Sequence, residues 1–305
     1  MPKAVLKGLK KYPIKITAVC AMLDSGGSSG RLRKDYGILS PGDLRRALIA
    51  LADTSPIIEE LFNYRFEIGE LKGHNLANLL ILALELSNHD LEKTIRKLRK
   101  VLRVKHEVLP VTIDNAELYA ELENGQIIKG ESNIDVPKHD PNLKIKKVYL
   151  KPQPRAYPKT IKAIEKADLV VIGPGDLYSS LAQVLLTKGV KEAISKSRAK
   201  IVYICNLMTK KGETNSFNVS DFIAQIEKWL EKEIDFVLYN NFFPSSRRVS
   251  LYKRRHPELL ELVRFAPNLK RKKFLGFNLL YERGPIEHDP EKVAKVLINL
   301  CKQSS

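Results

Sequence analysis

Residues 14–33, IKITAVCAMLDSGGSSGRLR, give the clearest indication of how this chain folds. An apolar, strand-like run at Ile14–Leu23 leads directly into a loop of small residues at Asp24–Gly30. A turn needs only one or two glycines, so the additional small residues leave room for another group to approach the backbone. The pattern therefore predicts a buried strand that ends in a ligand-binding loop.

Strand-like runs alternate with helical patterns along most of the chain. The predicted strands are Ile14–Leu23, Leu169–Ile172, Ile201–Leu207, Phe236–Asn240 and Phe274–Tyr281. The segments between them carry apolar residues at helical spacing, as at Leu44, Ala47, Leu48 and Leu51. Unbroken apolar strands separated by helices are typical of a parallel sheet that is covered on both faces. We therefore predict an α/β fold.

Residues 106–157 interrupt this alternation. Two strand-like segments, Leu118–Glu123 and Gln126–Gly130, flank an Asn-Gly pair at 124–125, which is the strongest short signal for a two-residue hairpin turn. We predict that residues 106–157 form a small β-rich insertion. It would separate a first part of the α/β core, at 1–105, from a second part, at 158–305.

The composition is that of a folded globular protein. The 305 residues are 44% hydrophobic and 29% charged. The apolar runs are too short to cross a bilayer, which takes about 20 residues, and the first residues contain no apolar block of signal-peptide length. Three cysteines without metal-binding spacing indicate reduced thiols. We expect a cytoplasmic protein with no membrane span, and we also expect a homo-oligomer.

A large share of the net charge of +17 comes from residues 244–273, which contain ten Lys or Arg and two acidic residues. Such a segment is either a solvated helix face with a basic loop or a contact surface for an acidic protein partner. No RNA- or DNA-binding motif accompanies the charge, so we do not expect nucleic acid to bind.

Polar segments follow several predicted strands directly, at the edge where open parallel sheets bind their ligands. In the first, glycines permit close approach, serine hydroxyls and consecutive N–H groups suit an anion, and arginines suit phosphate. The candidates are Asp24, Gly26, Gly27, Ser28, Ser29 and Arg31, with Arg33 as a further donor. The alternative is an ordinary flexible surface loop.

A second candidate lies in VVIGPGDLYSSLAQVLL, residues 170–186. A buried strand runs into Gly-Pro-Gly and then a helix, so free N–H groups and the positive end of the helix dipole favour phosphate there. The candidate residues are Gly173, Pro174, Gly175, Asp176 and Leu177. Asp176 is a good helix N-cap, but its charge repels a bare phosphate.

Three more segments suit either a ligand or a structural role. In ILSPGDLRRALIALAD, Ser40 is the predicted N-cap and Pro41 the first helical residue, so Asp43 has a structural explanation as well. The remaining candidates are His74 and Asn78 in LKGHNLANLL, and Asn206, Met208, Thr209, Glu213 and Thr214 in YICNLMTKKGETNSF. No nucleophile elbow, Walker loop or zinc spacing is evident, so we assign no catalytic residue.

These segments, in this order, resemble the gluconeogenesis factor family, whose members are relatives of 2-phospho-L-lactate transferase. DSGGSSGRLR is similar to the family's D-D-G-G-S-S-G-R-L-R, and GPGDLYSS is similar to its G-P-G-S-L-Y-T-S. PGDLRRALIAL, GHNLANLL and CNLMTKKGET resemble further family elements. The resemblance runs from residue 4 to about residue 220, and it implies a Rossmann-like three-layer parallel sheet with a small β-rich insertion.

The resemblance implies a regulatory protein that binds a nucleotide-sugar, such as UDP-N-acetylglucosamine, without turnover. It links that role to cell-wall precursor control and cell shape during gluconeogenic growth. The transferase branch implies an alternative, in which a phospholactate-type group leaves a GDP-linked donor with magnesium held at Asp24 and Asp43. Magnesium is expected only in that case. A degenerate relative that acts only as an interaction protein is a further alternative.

Departures from the family pattern bear on these alternatives. Ser25 replaces the second aspartate of the family's pair, which weakens a metal site, and Asp176 replaces the serine of G-P-G-S. The family pattern opens with a strand and a G-G-G-T-G loop, so this sequence is expected to start within the helix that follows them. Tyr252 resembles a family tyrosine near the sugar site.

Overall fold

The computed structural model describes residues 3–265, 269 and 273–304. The strands are β1 (Thr17–Cys20), β2 (Glu107–Pro110), β3 (Glu117–Leu122), β4 (Ile127–Lys129), β5 (Ile145–Lys151), β6 (Leu169–Ile172), β7 (Lys200–Ile204), β8 (Met208–Lys210), β9 (Phe236–Asn240), β10 (Leu259–Leu262) and β11 (Phe274–Phe277). The helices of the first half are α1 (Lys3–Leu9), α2 (Gly27–Tyr36), α3 (Gly42–Leu51), α4 (Pro56–Asn63), α5 (Leu76–Asn88), α6 (Leu91–Val101) and α7 (Glu131–Asp135). Those of the second half are α8 (Pro158–Glu165), a π-helical turn (Leu177–Leu181) that continues into α9 (Ala182–Leu185), α10 (Val190–Lys196), α11 (Val219–Leu230), α12 (Ser246–Arg255) and α13 (Pro290–Ser304).

The α/β core is built on parallel strands. One sheet has the order β11-β9-β7-β6, and β1 pairs with β2 in a second, two-stranded sheet. Because successive strand residues point to opposite faces, β7 enters two hydrophobic clusters. Val202 and Ile204 pack with α3, α5 and α13, whereas Ile201 and Tyr203 pack with α9, α10 and α11. The predicted three-layer α/β fold is confirmed.

β1 and β6 line the same cavity, which has a volume of about 1700 Å³. Within the part of the chain that the structure describes, β1 pairs only with β2, and β6 pairs only with β7. Helices from both layers, including α1 and α8, complete the wall. We call this cavity the slot, because it lies between two half-sheets. The strand that the family resemblance places ahead of residue 4 stays a prediction.

The insertion forms an antiparallel sheet with the order β4-β3-β5. The predicted hairpin is present, but its loop has three residues, 123–125, rather than two: the Gly125 amide donates to the Leu122 carbonyl and the Leu122 amide donates to the Gln126 carbonyl, both at 2.9 Å. Gly125 has a φ of 85°, which favours glycine. β2 lies inside the predicted range 106–157 but pairs with β1, so it belongs to the parallel core. Within the described residues, no helix has the length and apolar character that crossing a bilayer requires.

Arg33 ties the insertion to the end of β1. Its guanidinium donates to the Leu23 carbonyl at 2.9 Å and to Asn115 Oδ1 at 2.6 Å, and it pairs with Glu117 Oε1 at 3.0 Å. The side chain is only 7% exposed. The prediction that Arg33 is free to bind phosphate is therefore wrong, because burial and these partners use its donors.

Two helices begin at a proline or directly after one. Asp289 caps α13: its Oδ1 accepts from the Glu291 amide at 2.9 Å, and Pro290 is the first helical residue. The predicted start of α3 is wrong by one residue, because Pro41 is the N-cap and Gly42 begins the helix. The Ser40 amide instead donates to the Met22 carbonyl at 3.0 Å, which holds this loop against the end of β1.

The glycines of the first loop serve the protein's own packing. Gly27 has a φ of 52°, in the left-handed region that glycine adopts most easily. A Cβ on Gly30 would lie 2.0 Å from the Ser25 carbonyl oxygen. The small residues therefore let α2 start tightly against the loop that precedes it.

We predict that Gly30→Ala lowers the free energy of unfolding by about 3 kcal/mol, because the new Cβ meets rigid backbone. Gly69→Ala is the matched control: Gly69 has a φ of 70°, but a Cβ added there would meet nothing within 4 Å. That control should cost only about 1 kcal/mol of backbone strain. Urea denaturation measures both variants, and a Gly30→Ala protein at least as stable as Gly69→Ala would contradict the prediction.

Candidate functional site

Residues that follow β1, β6 and β7 line one end of the slot, which we call the crevice. Parallel strands bring their carboxyl ends to the same edge of a sheet, so these segments converge as expected. The predicted site residues in this lining are Asp24, Gly26, Gly27, Ser28, Ser29, Asp43, Asn78, Gly173, Pro174, Gly175, Asp176, Asn206 and Met208. The insertion contributes α7, and α12 contributes Tyr252.

Six predicted site residues do not line the crevice: Arg31, His74, Leu177, Thr209, Glu213 and Thr214. Arg31 points to the loop before α5, where it donates to the Lys72 carbonyl at 2.8 Å. His74 lies behind Ser28, with Nδ1 3.3 Å from the hydroxyl oxygen. The other four are buried. None of these six side chains therefore faces the crevice.

The first turn of α2 presents backbone amides to the crevice. Gly26 is the N-cap, no side chain caps the helix, and the first turn contains no acidic residue. A helix N-terminus in this state carries partial positive charge and unsatisfied N–H groups. This end of the crevice therefore suits an anion.

Asn78, on α5, has one oxygen that the protein leaves without a partner. Its Nδ2 donates to the hydroxyls of Ser28 and Ser29, both at 3.2 Å. Its Oδ1 has no hydrogen-bond partner among the described residues, although the residue is only 3% exposed. Buried polar atoms are nearly always paired, so an unpaired acceptor beside a cavity favours a donor from a ligand.

Asp24 and Asp43 share one arginine. Arg46 donates to Asp43 Oδ1 through Nε at 3.0 Å and through Nη2 at 2.5 Å, and Nη2 lies 3.5 Å from Asp24 Oδ2. Burial, and then the neighbouring Asp43 carboxylate, raises the pKa of Asp24 to about 6. One guanidinium therefore serves two carboxylates, and Asp43 makes the closer contact.

This arrangement does not fit magnesium at Asp24 and Asp43. Magnesium needs carboxylate oxygens that are free to coordinate it, and the Arg46 guanidinium already lies against both groups. Ser25, at the position of the family's second aspartate, bonds to the insertion instead: its hydroxyl accepts from the Ser132 amide at 2.9 Å.

The predicted phosphate seat after Gly173–Gly175 is filled by the protein itself. Glu213 Oε2 accepts from the backbone amides of Tyr178 and Ser179, at 2.9 and 3.0 Å, and Oε1 accepts from the Ser179 hydroxyl at 2.7 Å. The Glu213 carboxylate thus stands where an anionic ligand was expected. The prediction that this helix start is free for phosphate is wrong, although Gly173–Asp176 still line the crevice.

Lys210 joins the insertion to the core beneath the crevice. Its ammonium contacts Asp135 on α7, Asp176 Oδ2 at 2.9 Å and Glu213 Oε1 at 3.1 Å. The three carboxylates lie within 4.8 Å of one another, a spacing that suits a metal ion, but Lys210 supplies the positive charge there. Burial alone would lower the pKa of Lys210, but the three carboxylates outweigh it and raise that pKa.

Arg46, Glu131 and Asp135 are charged residues of the crevice that were not among the predicted site residues. Arg46 carried a signal, since it lies within the PGDLRR motif. Glu131 carried none, because it reaches the crevice only through the packing of the insertion. Its Oε2 accepts from the Ser25 amide at 3.1 Å, and burial, with the charge of Asp24, raises its pKa to about 8.

We predict that Lys210→Met lowers the free energy of unfolding by about 3–5 kcal/mol, because three carboxylates lose the ammonium that contacts all of them. Lys211→Met is the control, since Lys211 is the neighbouring residue and is exposed. Urea denaturation at neutral pH measures both. Equal stability of the two variants would show that the Lys210 contacts contribute little.

We predict that Glu131→Gln reduces the loss of stability that occurs as pH rises from about 5 to about 8. With a folded pKa of about 8, Glu131 holds a proton that the unfolded chain has lost above its ordinary value of 4.5. Wild-type stability should therefore fall as pH rises from about 5 to about 8, by on the order of a few kcal/mol, and the glutamine variant should lose less. Unfolding measured across this range tests the slope; exposed Glu67→Gln should leave it unchanged, and identical slopes for wild type and Glu131→Gln would refute the prediction.

Relatives of known sequence cover nearly the whole chain. One from Bacillus subtilis, named Gluconeogenesis factor, is 38% identical over 309 residues, which cover 98% of this chain and 94% of the relative. One from Thermotoga maritima is 43% identical and covers 98% and 95%. One from Nostoc sp. is 42% identical over 96% of this chain, but the chain spans only 65% of that relative's length.

Solved structures and family profiles agree with these relatives. A crystal structure of a UPF0052 family member from Bacillus halodurans has a TM-score of 0.90 and 37% sequence identity, covering 97% of this chain and 96% of that one. The profile of the family described as 2-phospho-L-lactate transferase CofD matches residues 3–274. The chain therefore belongs to the CofD family and, within it, to the group of gluconeogenesis factors.

Proposed function

We propose that this protein is a regulator that binds a nucleotide-sugar, specifically a UDP-sugar, in the crevice and does not turn it over. The observation that carries the proposal is the buried, unpartnered Oδ1 of Asn78 beside the uncapped first turn of α2. Asn78 contacts Ser28 and Ser29 of that turn, so an acceptor for a neutral donor group lies next to amides that suit an anion. A nucleotide-sugar carries both kinds of group.

The diphosphate binds at the start of α2 in this proposal. The amides of Gly27, Ser28 and Ser29 lie at the positive end of the helix dipole, and Gly27 has no side chain to keep a ligand away. Gly173–Asp176 lie across the crevice from them as a second wall. Because Glu213 occupies the helix start behind that wall, the proposal assigns phosphate to α2 alone.

The base and the sugar bind nearer to Asn78, Asn206 and Tyr252. Asn78 Oδ1 accepts from a base N–H or a sugar hydroxyl, and the buried Oδ1 of Asn206 is a second acceptor without a partner among the described residues. Tyr252 and Tyr281 contribute aromatic surface to the same lining. Aromatic side chains stack well on bases and sugar faces.

The regulatory part of the proposal rests on the family. The relative from Bacillus subtilis carries the name Gluconeogenesis factor, and the resemblance links such proteins to cell-wall precursor control and cell shape under gluconeogenic growth. A cytoplasmic location belongs to the same proposal. Asp24, Asp43 and Asp176 in the crevice are paired with Arg46 or Lys210, which supports binding rather than metal-assisted chemistry.

A phosphotransferase of the 2-phospho-L-lactate transferase type is the second candidate, because the family profile bears that description. It requires a GDP-linked donor and magnesium near Asp24 and Asp43. Arg46 would have to leave both carboxylates before the metal could bind. Formation of product from a GDP-linked donor and a deazaflavin acceptor would favour this candidate over the first.

We predict saturable heat of binding when UDP-N-acetylglucosamine is titrated into the protein. Asn78→Ala should weaken binding about tenfold, because it removes one hydrogen bond worth about 1.4 kcal/mol to the ligand. Asn63→Ala, on the exposed end of α4, is the control and should bind as wild type does. Titration with GDP, with and without magnesium, tests the second candidate in the same experiment.

The proposal fails if folded protein gives no response to millimolar UDP-N-acetylglucosamine, or if Asn78→Ala binds as tightly as wild type. A folded protein that binds no nucleotide yet associates with other proteins in a salt-sensitive way would favour the degenerate relative.

A further inference from the structure

Helix α12 has an inner face that is fixed to the core. Arg248 donates to the carbonyls of residues 281, 282, 284 and 285 at distances between 2.8 and 3.2 Å. Val249 and Tyr252 pack against a small cluster that includes Leu280 and Ile286. The orientation of α12 is therefore set, and the side chains on its opposite side point to the surface.

The outer face of α12 concentrates positive charge around one apolar residue. Arg247, Leu251, Arg254 and Arg255 are exposed and lie at i, i+4, i+7 and i+8, which places them on one side of the helix. The helix sequence, SRRVSLYKRR, contains no acidic residue. Among the described residues, the three arginines have no carboxylate within salt-bridge distance, unlike Arg264, which pairs with Glu261.

Exposed aromatic side chains adjoin the start of this helix. Phe242 is 43% exposed and Phe243 is 53% exposed, while Leu251 is 52% exposed. Arginine and aromatic residues are enriched in protein–protein interfaces relative to other surface. The basic segment 244–273 continues beyond α12, but its residues 266–268 and 270–272 lie outside the described residues.

We propose that the outer face of α12, with Phe242 and Phe243, is a docking surface for an acidic segment of another protein. The guanidinium groups suit carboxylates, which they bind in pairs of parallel hydrogen bonds. Leu251 and the two phenylalanines contact apolar side chains of the same segment. This inference does not depend on the proposed ligand of the crevice.

Other occupants fit this face less well. A second copy of this chain brings a net charge of +17 and repels the arginines. A membrane-surface helix needs a broad apolar face, but the apolar residues Val249 and Tyr252 of α12 point inward. Nucleic acid can neutralise the charge, but no RNA- or DNA-binding motif accompanies this segment.

The test uses a fluorescein-labelled peptide of about twenty residues, built from glutamate and leucine, and follows its anisotropy with the intact protein. The combined variant Arg247→Gln, Arg254→Gln and Arg255→Gln should weaken binding about tenfold or more. Leu251→Ser should weaken it about threefold at every salt concentration, since the lost contact is apolar. Wild-type affinity should fall as ionic strength rises.

The matched control removes the same charge elsewhere. Arg96, Lys100 and Arg103 are exposed, basic and similarly spaced on and just after α6, so their combined change to glutamine should leave the affinity within about twofold. The proposal is overturned if the peptide does not bind, or if both combined variants lose affinity equally. It is also overturned if an RNA oligomer or vesicles of phosphatidylserine bind through α12 more tightly than the peptide.

Discussion

Burial of β7 on both faces constrains everything that is built around it. Ile201, Val202, Tyr203 and Ile204 are fully buried. The polar residues that β7 brings to the crevice therefore come from the segment beyond its carboxyl end. There the chain meets the end of β6 so closely that a Cβ on Gly173 would lie 2.9 Å from the Ile204 carbonyl oxygen. Gly173, the first glycine of the Gly-Pro-Gly segment, is therefore required by strand packing, whatever ligand the crevice binds.

Many of the charged and polar groups around the crevice already have partners within the protein. Arg46 lies against Asp24 and Asp43, Lys210 contacts three carboxylates, and Glu213 accepts the amides at the start of the π-helical turn. Pairing of this kind is costly to disturb in a partly buried site. A ligand is thus favoured where the protein leaves groups unpaired, which is at the first turn of α2 and at Asn78.

The sequence predicted the fold and most of the crevice lining, because both follow from local patterns. Apolar runs located β6 and β9 at their observed residues, and the Asn-Gly pair located the hairpin loop. The roles of Arg33 and Glu213 could not be predicted, since their partners Glu117 and Ser179 lie far from them in the chain. Long-range packing decides whether such a charged side chain faces a ligand or the protein.

A hydrogen bond connects the two half-sheets beside the crevice. The Leu23 amide, just after β1, donates to Gln183 Oε1 on α9 at 3.2 Å. The start of α2 belongs to the half with β1, whereas Gly173–Asp176 belong to the half with β6, and both line the crevice. A ligand bound as proposed touches both walls, and the hydrophobic cluster that contains Cys20 of β1 and Val202 of β7 also joins the two halves.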